Sequence, residues 1–359
     1  MDGVNVVGYH RQSLGLGAEV RRVVRCLRAA GVPVSTIDAP GSSSAYINSI
    51  PLSDNDWRYE TTLSVVAGDQ LRNCMEQLGV THFEKGRHCS MWYWELMKLN
   101  EPMKLALPLI NGLVAGSRFI YECLVRSTDE PVFQFPLTDT RGLEATESRK
   151  VLGLPEDRLI FLCTFDFFSV IERKNPLDAI AAFKMAFEEN SGPILLIKSQ
   201  NGNILTEDLA LVTHAIGGRT DIIHIDQHVN EVTQASYLQC ADVLVSLHRS
   251  EGLGLHILEA LLRGVPVLST AFSAPTEFLD SGNSVPVDYA LVPVKNGNGV
   301  YPTGYLWAQP DVQHAAHLMR KLFSKSTYLE TLKDGASNVE NHLVSEVEAG
   351  TRLASWLFE

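Results

Sequence analysis

The feature of this sequence that most constrains its fold is the regular alternation of short apolar segments with longer amphipathic ones. In the second half of the chain, the apolar segments predicted to be strands are Leu159–Phe165, Ile194–Ile197, Ile222–Ile225, Val243–Leu247 and Val265–Ser269. Helical patterns lie between them, at about 176–189, 206–214, 231–239 and 255–262. Near-continuous apolar strands are typical of parallel sheets that are covered on both faces. The pattern therefore predicts an α/β fold with crossover helices.

The first half follows the same pattern, with strands predicted at Val4–Tyr9, Val34–Ile37, Met91–Trp94, Leu113–Ala115 and Val132–Phe135. Residues 136–147 are polar and lack a strong period, which indicates a domain boundary. After Pro310 the chain is helical in pattern to its end. We therefore expect an N-terminal domain at 1–140, a C-terminal domain at 141–344 and a final helical segment at 345–359.

Composition excludes several classes of protein. The chain has 359 residues, is 45% hydrophobic and carries a net charge of −12, which fits a folded protein and disfavours nucleic-acid binding. The six cysteines form no C-x-x-C pair, so we expect reduced thiols rather than disulfides or a zinc site. The N-terminus carries no basic region followed by an apolar run, and no apolar stretch is long enough to cross a membrane. These features predict a cytoplasmic location.

The segment His248–Ala260 carries the most chemical information, because it directly follows a predicted buried strand. Two glutamates, Glu251 and Glu259, are separated by seven residues, and glycines between them allow a tight turn. The N–H groups at the start of the following helix suit a phosphate, and carboxylates accept hydrogen bonds from sugar hydroxyls. The alternative is a solvated helix residue and a charge near the helix cap, but the complete strand–turn–helix–strand context favours a binding site.

Several segments resemble the family 4 glycosyltransferases, which are retaining enzymes with the GT-B fold. The strongest match is EGLGLHILEALLRGVPVLST, which resembles the family's E-x7-E region. SLGLG at 13–17 resembles its N-terminal glycine loop, and WYWEL at 92–96 and AGSRF at 115–119 resemble segments of bacterial members. FDFFSVIERKNPLDAIAAF at 165–183, SLHRSEG at 246–252 and WAQPD at 307–311 resemble one subgroup. The resemblance implies two Rossmann-like domains facing a central cleft, with the C-terminal helix crossing back to the first domain.

The resemblance also implies roles for individual residues. Glu259 is expected to hold the nucleotide ribose and Glu251 to lie at the donor sugar. The family commonly places an Arg and a Lys, spaced R-x4-K, at the donor diphosphate; here Ser169 occupies the Arg position, and Arg173 is adjacent to Lys174. We therefore expect Glu251, Lys174 and Arg173 as catalytic residues. The other expected donor-binding residues are Gly252, Leu253, Gly254, Leu255, Gly15, Gly17, Ser169 and His248.

The surroundings of Lys174 suit a phosphate. Asn175 is a favourable N-cap residue and Pro176 a favourable first helical residue, so the sequence predicts Lys174 in a loop beside a helix N-terminus. The alternative is an Arg-Lys pair in a solvated loop. The turn Thr270–Glu277 follows a predicted strand and is expected at the same edge of the sheet, although its family counterpart is richer in glycine.

Two further motifs have competing interpretations. Trp92, Trp94 and Glu95 form either a wall of the acceptor site or part of an aromatic core. Asp54-Asn55-Asp56 matches the D-x-D motif of the other main glycosyltransferase fold, but its position in a polar loop predicts a turn. Enzymes with the GT-B fold generally need no bound metal, so the resemblance implies that there is no metal site.

Together these observations predict a retaining, metal-independent glycosyltransferase. It would move a sugar from a nucleotide-diphosphate sugar to a hydroxyl on a glycan, glycolipid or small molecule, with no cofactor beyond the donor. The expected partners are that donor and a sugar or lipid-linked acceptor, and the resemblance allows peripheral membrane contact. The alternative is a catalytically inactive GT-B homologue that acts as a binding or partner subunit.

Overall fold

The computed structural model describes residues 2–41, 47 and 50–359 and divides the chain into two compact units. Unit 1 consists of the chain up to Asp139 together with Leu343–Glu359, and unit 2 consists of Thr140–His342. Within the described residues, no helix is both long and apolar enough to cross a membrane.

Unit 1 contains a parallel six-stranded sheet. Its strands are β1 (Val4–Gly8), β2 (Val34–Asp38), β3 (Thr61–Val65), β4 (His88–Trp92), β5 (Gly112–Ala115) and β6 (Val132–Gln134), in the order β2-β1-β3-β4-β5-β6. The helices between them are α1 (Gly15–Ala29), α2 (Leu71–Leu78), α3 (Glu101–Ala106) and α4 (Arg118–Leu124). The predicted α/β class of the first half is therefore confirmed.

Strand β3 was missing from the sequence-based prediction, because its alternation is partly polar. Thr62 and Ser64 are both buried, and each finds a polar partner on a neighbouring strand. Asn5 Nδ2 donates to Thr62 Oγ1 at 3.3 Å, and Ser64 Oγ lies 2.8 Å from His88 Nε2. Such pairing satisfies buried polar groups, so a central strand can form without a continuous apolar sequence.

The last helix, α12 (Glu346–Phe358), packs on α1 of unit 1. Ser345 caps it by accepting a hydrogen bond from the Glu348 N–H at 3.1 Å. Its buried face contributes Ala349, Leu353 and Leu357 to the core of unit 1. The Trp356 ring stacks on Phe133, with centroids 5.6 Å apart. The predicted return of the C-terminal helix to the first half of the chain is thus confirmed.

Unit 2 contains a second parallel six-stranded sheet. Its strands are β7 (Ile160–Asp166), β8 (Ile194–Gln200), β9 (Ile222–Asp226), β10 (Val243–Ser246), β11 (Val267–Thr270) and β12 (Ser284–Val287), in the order β12-β11-β10-β7-β8-β9. Its helices are α5 (Ile171–Lys174), α6 (Pro176–Ala186), α7 (Thr206–Ile216), α8 (Glu231–Cys240), α9 (Leu255–Leu262), α10 (Val312–Ser324) and α11 (Ser326–Ala336). All five strands predicted from the apolar pattern are present, and β12 extends the sheet by one.

A two-stranded antiparallel hairpin, also absent from the prediction, follows β12. It is formed by β13 (Tyr289–Pro293) and β14 (Leu306–Pro310). One face of the hairpin carries the buried Trp307, whereas the other carries both the buried Ala308 and its partner Leu291, which is 53% exposed. Apolar residues on both faces obscure the period-two pattern by which a strand is recognised.

The predicted loop around Asp54 lies in unit 1, and residues 42–46 and 48–49 of it are outside the described part of the chain. Asp54 Oδ2 accepts hydrogen bonds from the Thr36 backbone N–H at 3.0 Å and from its hydroxyl at 3.1 Å. Asp56 pairs with Arg58 at 2.9 Å. Both carboxylates are therefore engaged by neighbouring residues. The segment is a loop, as predicted, but residues 54–56 form no turn and instead lie alongside β2.

Candidate active site

The topology of the unit 2 sheet creates a crevice at the carboxyl ends of β7 and β10. These two strands are neighbours, but the chain continues from β7 toward β8 on one side and from β10 toward β11 on the other. The segments that follow them therefore diverge, which is the arrangement that creates ligand sites in open parallel sheets. The two segments with the strongest predicted chemistry, which carry Lys174 and Glu251, follow these two strands.

The segment after β7 carries two cations on a strained turn. Arg173 and Lys174 end the short helix α5, which is bounded by Val170 at φ 64° and Asn175 at φ 54°. A positive φ is especially unfavourable for a β-branched residue such as Val170. Strain of this kind persists only where the surrounding contacts fix the backbone, and it is common at functional sites. Lys174 therefore lies in a helix and not in the predicted loop.

The segment after β10 places Glu251 between these two cations. Lys174 Nζ lies 2.6 Å from Glu251 Oε1, and Arg173 Nη1 lies 3.1 Å from Glu251 Oε2. Arg173 also donates to the backbone carbonyls of Ser250 at 3.0 Å and Ser169 at 3.2 Å. Burial alone would raise the pKa of Glu251, but Lys174 and Arg173 outweigh it and hold that pKa well below its usual range. The carboxylate is thus ionised and doubly paired at neutral pH.

The turn after β11 fixes the backbone of Glu251. The Glu251 N–H donates to Ser273 Oγ at 2.8 Å, and the Ala274 N–H donates to the Glu251 carbonyl at 3.3 Å. Ser273 itself has a φ of 64°, so a second strained residue contacts the same carboxylate-bearing turn. The segment Thr270–Glu277 therefore contributes to this site through its contacts with Glu251.

Gly254 connects Glu251 to helix α9. It has a φ of 83°, and a Cβ there would lie 2.8 Å from Pro275 Cγ, so a side chain is disfavoured on both grounds. Helix α9 then begins at Leu255, and Glu259 lies about one turn into it and is half-buried. Gly252 and Leu253 form the buried part of the connection.

Two histidines flank Glu251. His248 is fully buried and its Nε2 lies 3.3 Å from Ser269 Oγ, so it lies in the interior of unit 2 rather than on an open surface. His256 is half-buried on the first turn of α9, and its Nε2 lies 3.4 Å from Ser246 Oγ. Burial lowers the pKa of His248 to about 4 and that of His256 to about 3. Both rings are therefore neutral at pH 7.

Because these histidines are neutral in the folded protein, we expect unit 2 to lose stability in acid. Because the pKa of His248 is lower in the folded state than its ordinary 6.5, the unfolded chain binds more protons between pH 6.5 and about 4. Stability should fall as the pH drops through that range, by up to about 1.4 kcal/mol per pH unit for one histidine. Thermal melts at pH 7, 6 and 5 test this, with His248→Gln expected to reduce the slope. An unchanged slope in that variant would assign the acid sensitivity to other groups.

Three further residues were predicted to bind the donor: Ser169, Gly15 and Gly17. Ser169 contacts Arg173 through its backbone carbonyl. Gly15 and Gly17 belong to unit 1, in the first turn of α1. A Cβ on Gly17 would lie 2.3 Å from the Gln12 carbonyl, which gives this glycine a packing reason of its own.

Two tryptophans of unit 1 that the sequence singled out, Trp92 and Trp94, belong to its core. Trp92 and Trp94 are both buried, and their indole N–H groups donate to Ser90 Oγ and to the Lys98 carbonyl, each at 2.8 Å. This environment favours the aromatic-core interpretation over an acceptor wall.

Sequence reasoning missed the polar groups that support the site. Ser273 orients the backbone of Glu251, but a serine in the sequence does not indicate a positive φ. Asn175 was predicted as a helix cap, but its side chain donates to Asp178 Oδ2 and to the Leu247 carbonyl, at 2.7 and 2.9 Å. Gln309, on the unpredicted hairpin, donates to the same Asp178 oxygen at 2.7 Å.

Comparisons with solved structures identify the fold. Sucrose-phosphate synthase from Thermosynechococcus elongatus is 16% identical, with a TM-score of 0.71 over 99% of this chain and 98% of that one. HepE from Anabaena, solved with UDP and glucose, is 11% identical, with a TM-score of 0.70 over 99% of both chains. WaaG, a glycosyltransferase involved in lipopolysaccharide biosynthesis, is 14% identical, with a TM-score of 0.65 over 99% of both chains. The two sheets and these similarities establish the GT-B fold.

Comparisons of sequence identify the family. No curated protein sequence matches this chain significantly. The family described as "Glycosyl transferases group 1" matches residues 144–339, which span the whole of the site described above and more than half of the chain. The chain therefore belongs to the group 1 glycosyltransferases.

Proposed function

We propose that this glycosyltransferase is a family 4 enzyme that transfers a sugar from a nucleoside-diphosphate sugar to a hydroxyl acceptor with retention of configuration. The observation that carries the proposal is the group formed by Lys174, Arg173 and Glu251 at the switch point of the unit 2 sheet. Two adjacent cations suit a diphosphate, and a carboxylate beside them suits the hydroxyls of the attached sugar.

The cations would act on the leaving group. When the bond between the anomeric carbon and the phosphate oxygen breaks, negative charge grows on the diphosphate, and fixed cations stabilise that charge. The acceptor oxygen would bond to the anomeric carbon on the same face, and its proton would pass to the departing phosphate. Retention then follows without a protein nucleophile.

Glu251 would have two states. In the free protein it neutralises Lys174 and Arg173, which keeps two nearly buried cations paired. On donor binding, the diphosphate would take over the cations and the carboxylate would accept hydrogen bonds from the donor sugar. Ser273 holds the Glu251 backbone at 2.8 Å, which supports a carboxylate that moves while its main chain stays in place.

The positive charge required by a diphosphate is thus available from the protein itself. Among residues 2–41, 47 and 50–359, no group of three or more His, Cys, Asp or Glu side chains is arranged to hold a metal ion. We propose a metal-independent reaction with no cofactor other than the donor. The acceptor would be a hydroxyl of a glycan, glycolipid or small molecule.

Uridine nucleotides are the first donors to test, because HepE, which has a similar fold, was solved both with UDP and glucose and with UDP-glucose. A thermal-shift screen of UDP, GDP, ADP and CDP would identify the preferred base, since a ligand stabilises the folded protein in proportion to RT ln(1 + [L]/Kd). Release of the diphosphate from the matching nucleotide sugar would then test catalysis. Binding without turnover, with and without candidate acceptor sugars, would favour the inactive binding homologue instead.

Replacing Glu259 by Ala tests the nucleotide assignment. We expect the Glu259→Ala protein to bind the preferred nucleoside diphosphate about 10- to 100-fold more weakly than the wild type, because the ribose hydroxyls would lose a charged hydrogen-bond partner. Calorimetry of both proteins measures the change. Glu330→Ala, which removes an exposed carboxylate from α11, is the matched control and should bind normally. Equal affinity in Glu259→Ala and the wild type would contradict the assignment.

A further inference from the structure

The hairpin formed by β13 and β14 is connected to the turn that carries the cations at three points, once directly and twice through the intermediate residues Arg249 and Asp178. The first is a side-chain hydrogen bond from the loop between the two strands. Asn296 Nδ2 donates to Glu172 Oε1 at 2.9 Å. Glu172 immediately precedes Arg173, so this bond ties the hairpin loop to the α5 helix beside its first cation.

The second connection runs through backbone groups and involves both segments of the site. The Ala308 N–H on β14 donates to the Arg249 carbonyl at 2.9 Å, and the Arg249 N–H donates to the Arg173 carbonyl at 2.8 Å. The Arg249 guanidinium lies over the Trp307 ring, 5.3 Å from its centroid. Strand β14 is therefore linked through Arg249 to both the Glu251 turn and α5.

The third connection reaches the residue after Lys174. Gln309 Nε2 and Asn175 Nδ2 both donate to Asp178 Oδ2 at 2.7 Å, and Asn175 Nδ2 also donates to the Leu247 carbonyl at 2.9 Å. Asn175 is 4% exposed and adopts a left-handed conformation. Its side chain thus joins the start of α6, the end of β10 and, through Asp178, the hairpin.

We propose that the hairpin positions the diphosphate-binding cations, with Gln309 and Asn175 as positioning residues that act through Asp178 on Lys174. The hairpin contacts Glu172 directly, Arg173 through Arg249 and Asn175 through Asp178, so these connections hold the residues on both sides of Lys174. A lysine side chain is long and flexible, and its backbone must be fixed if the ammonium is to meet one phosphate group. This role of the hairpin rests on the proposed function, because it assumes that Lys174 binds the donor diphosphate.

Two substitutions separate positioning from folding. Gln309→Ala removes the hairpin's hydrogen bond to Asp178. Asn175→Gly removes the side-chain bonds while glycine still readily adopts the left-handed backbone. The matched control for the latter is Asn190→Gly, because Asn190 also has a positive φ, of 58°, and its amide binds Thr220 Oγ1 at 2.8 Å before β8. Leu291→Ala is the control for the hairpin, since this side chain is 53% exposed.

The measurement is the affinity of each protein for UDP and for uridine, by calorimetry, together with kcat and KM for UDP-glucose hydrolysis. If the screen prefers another base, the corresponding nucleoside pair and donor replace these probes. We expect Gln309→Ala and Asn175→Gly to bind the diphosphate about tenfold more weakly and the nucleoside normally, with a lower kcat. The two controls should match the wild type. A general loss of structure would weaken both ligands alike, so the ratio of the two affinities isolates the phosphate contacts.

The outcomes for the two proposals differ. If the wild type binds UDP much more tightly than uridine but both variants keep that ratio, the positioning role is overturned and the proposed function stands. If no nucleoside diphosphate binds more tightly than its nucleoside, the proposed function fails and the positioning role fails with it. Weaker binding of both ligands in equal measure would show that these residues serve only the fold.

Discussion

Replacing Lys174 by Met should lower kcat/KM for the donor sugar about 100- to 1000-fold, a typical loss when one fixed group that stabilises transition-state charge is removed. The Lys174 ammonium lies 2.6 Å from Glu251 Oε1, and its side chain is only 12% exposed. In the proposed reaction, its contact with the diphosphate strengthens as the glycosidic bond breaks. The loss should therefore appear mainly in kcat rather than in KM. Steady-state kinetics of diphosphate release would measure it.

The sequence alone predicts a small effect of Lys174 on stability, since a lysine in a loop makes a weak ion pair. The structure changes that expectation, because Lys174 and Glu251 are both nearly buried. Removing one partner leaves Glu251 with Arg173 alone, so the melting temperature should also fall. Lys333→Met is the matched control, because it also removes a half-buried ion pair. Lys333 Nζ lies 3.1 Å from Asp242 Oδ1, just before the first residue of β10. A normal kcat/KM in Lys174→Met would refute the catalytic assignment.

Five of the six strands of the unit 2 sheet could be predicted from its sequence, because the central strands β7, β8, β10 and β11 are almost fully buried and form apolar runs. Helix α9 begins at Leu255 and ends at Leu262, the predicted bounds, since a glycine precedes it and Gly264 follows shortly after it. The structure also pairs Glu251 with Lys174, two residues that the resemblance suggested for one site, and their roles there stay a prediction. For the strands and for α9, a strong local signal agreed with the tertiary structure.

Other parts of the site could not be predicted, because they depend on pairs that are distant in sequence. Asp178 accepts hydrogen bonds from Asn175, three residues away, and from Gln309, 131 residues away. Gln309 lies in the WAQPD segment that resembles one subgroup, but that local pattern does not reveal its pairing with Asp178, since its strand belongs to a two-stranded hairpin outside the main sheet. Strand β3 was missed for a similar reason: Thr62 and Ser64 are satisfied by residues of β1 and β4.

Replacing Gly350 by Leu should unfold unit 1 or destabilise it by about 3 kcal/mol or more, at the upper end of the range for overpacked cores. A Cβ on Gly350 would lie 1.9 Å from the Cys26 carbonyl oxygen and 2.4 Å from its carbonyl carbon. These are backbone atoms of α1, so rotation of a side chain cannot relieve the clash. Helix α12 would have to move away from α1, and Leu353 and Leu357, both fully buried, would lose part of their packing.

Replacing Gly350 by the smaller alanine gives the sharper test, because the sign of its effect on stability distinguishes this site from an ordinary helix position. In an exposed helix, glycine to alanine stabilises by up to about 1 kcal/mol, because glycine costs more conformational entropy. At Gly350 alanine should instead destabilise, since even one methyl group meets the α1 backbone. Thr351→Ala, at the neighbouring exposed position of the same helix, should be close to neutral.

Hydrogen exchange measured by mass spectrometry would locate the effect of Gly350→Ala. Exchange should accelerate in α12, in α1 and in the unit 1 strands beneath them, because Leu353 and Leu357 share one core with Val6, Val20 and Leu63. Strands β7 and β8 of unit 2 draw on a separate apolar core and should keep their protection. Deleting residues 345–359 should produce the same pattern more strongly. Unchanged protection of α1 in both variants would show that α12 is dispensable for the core it completes.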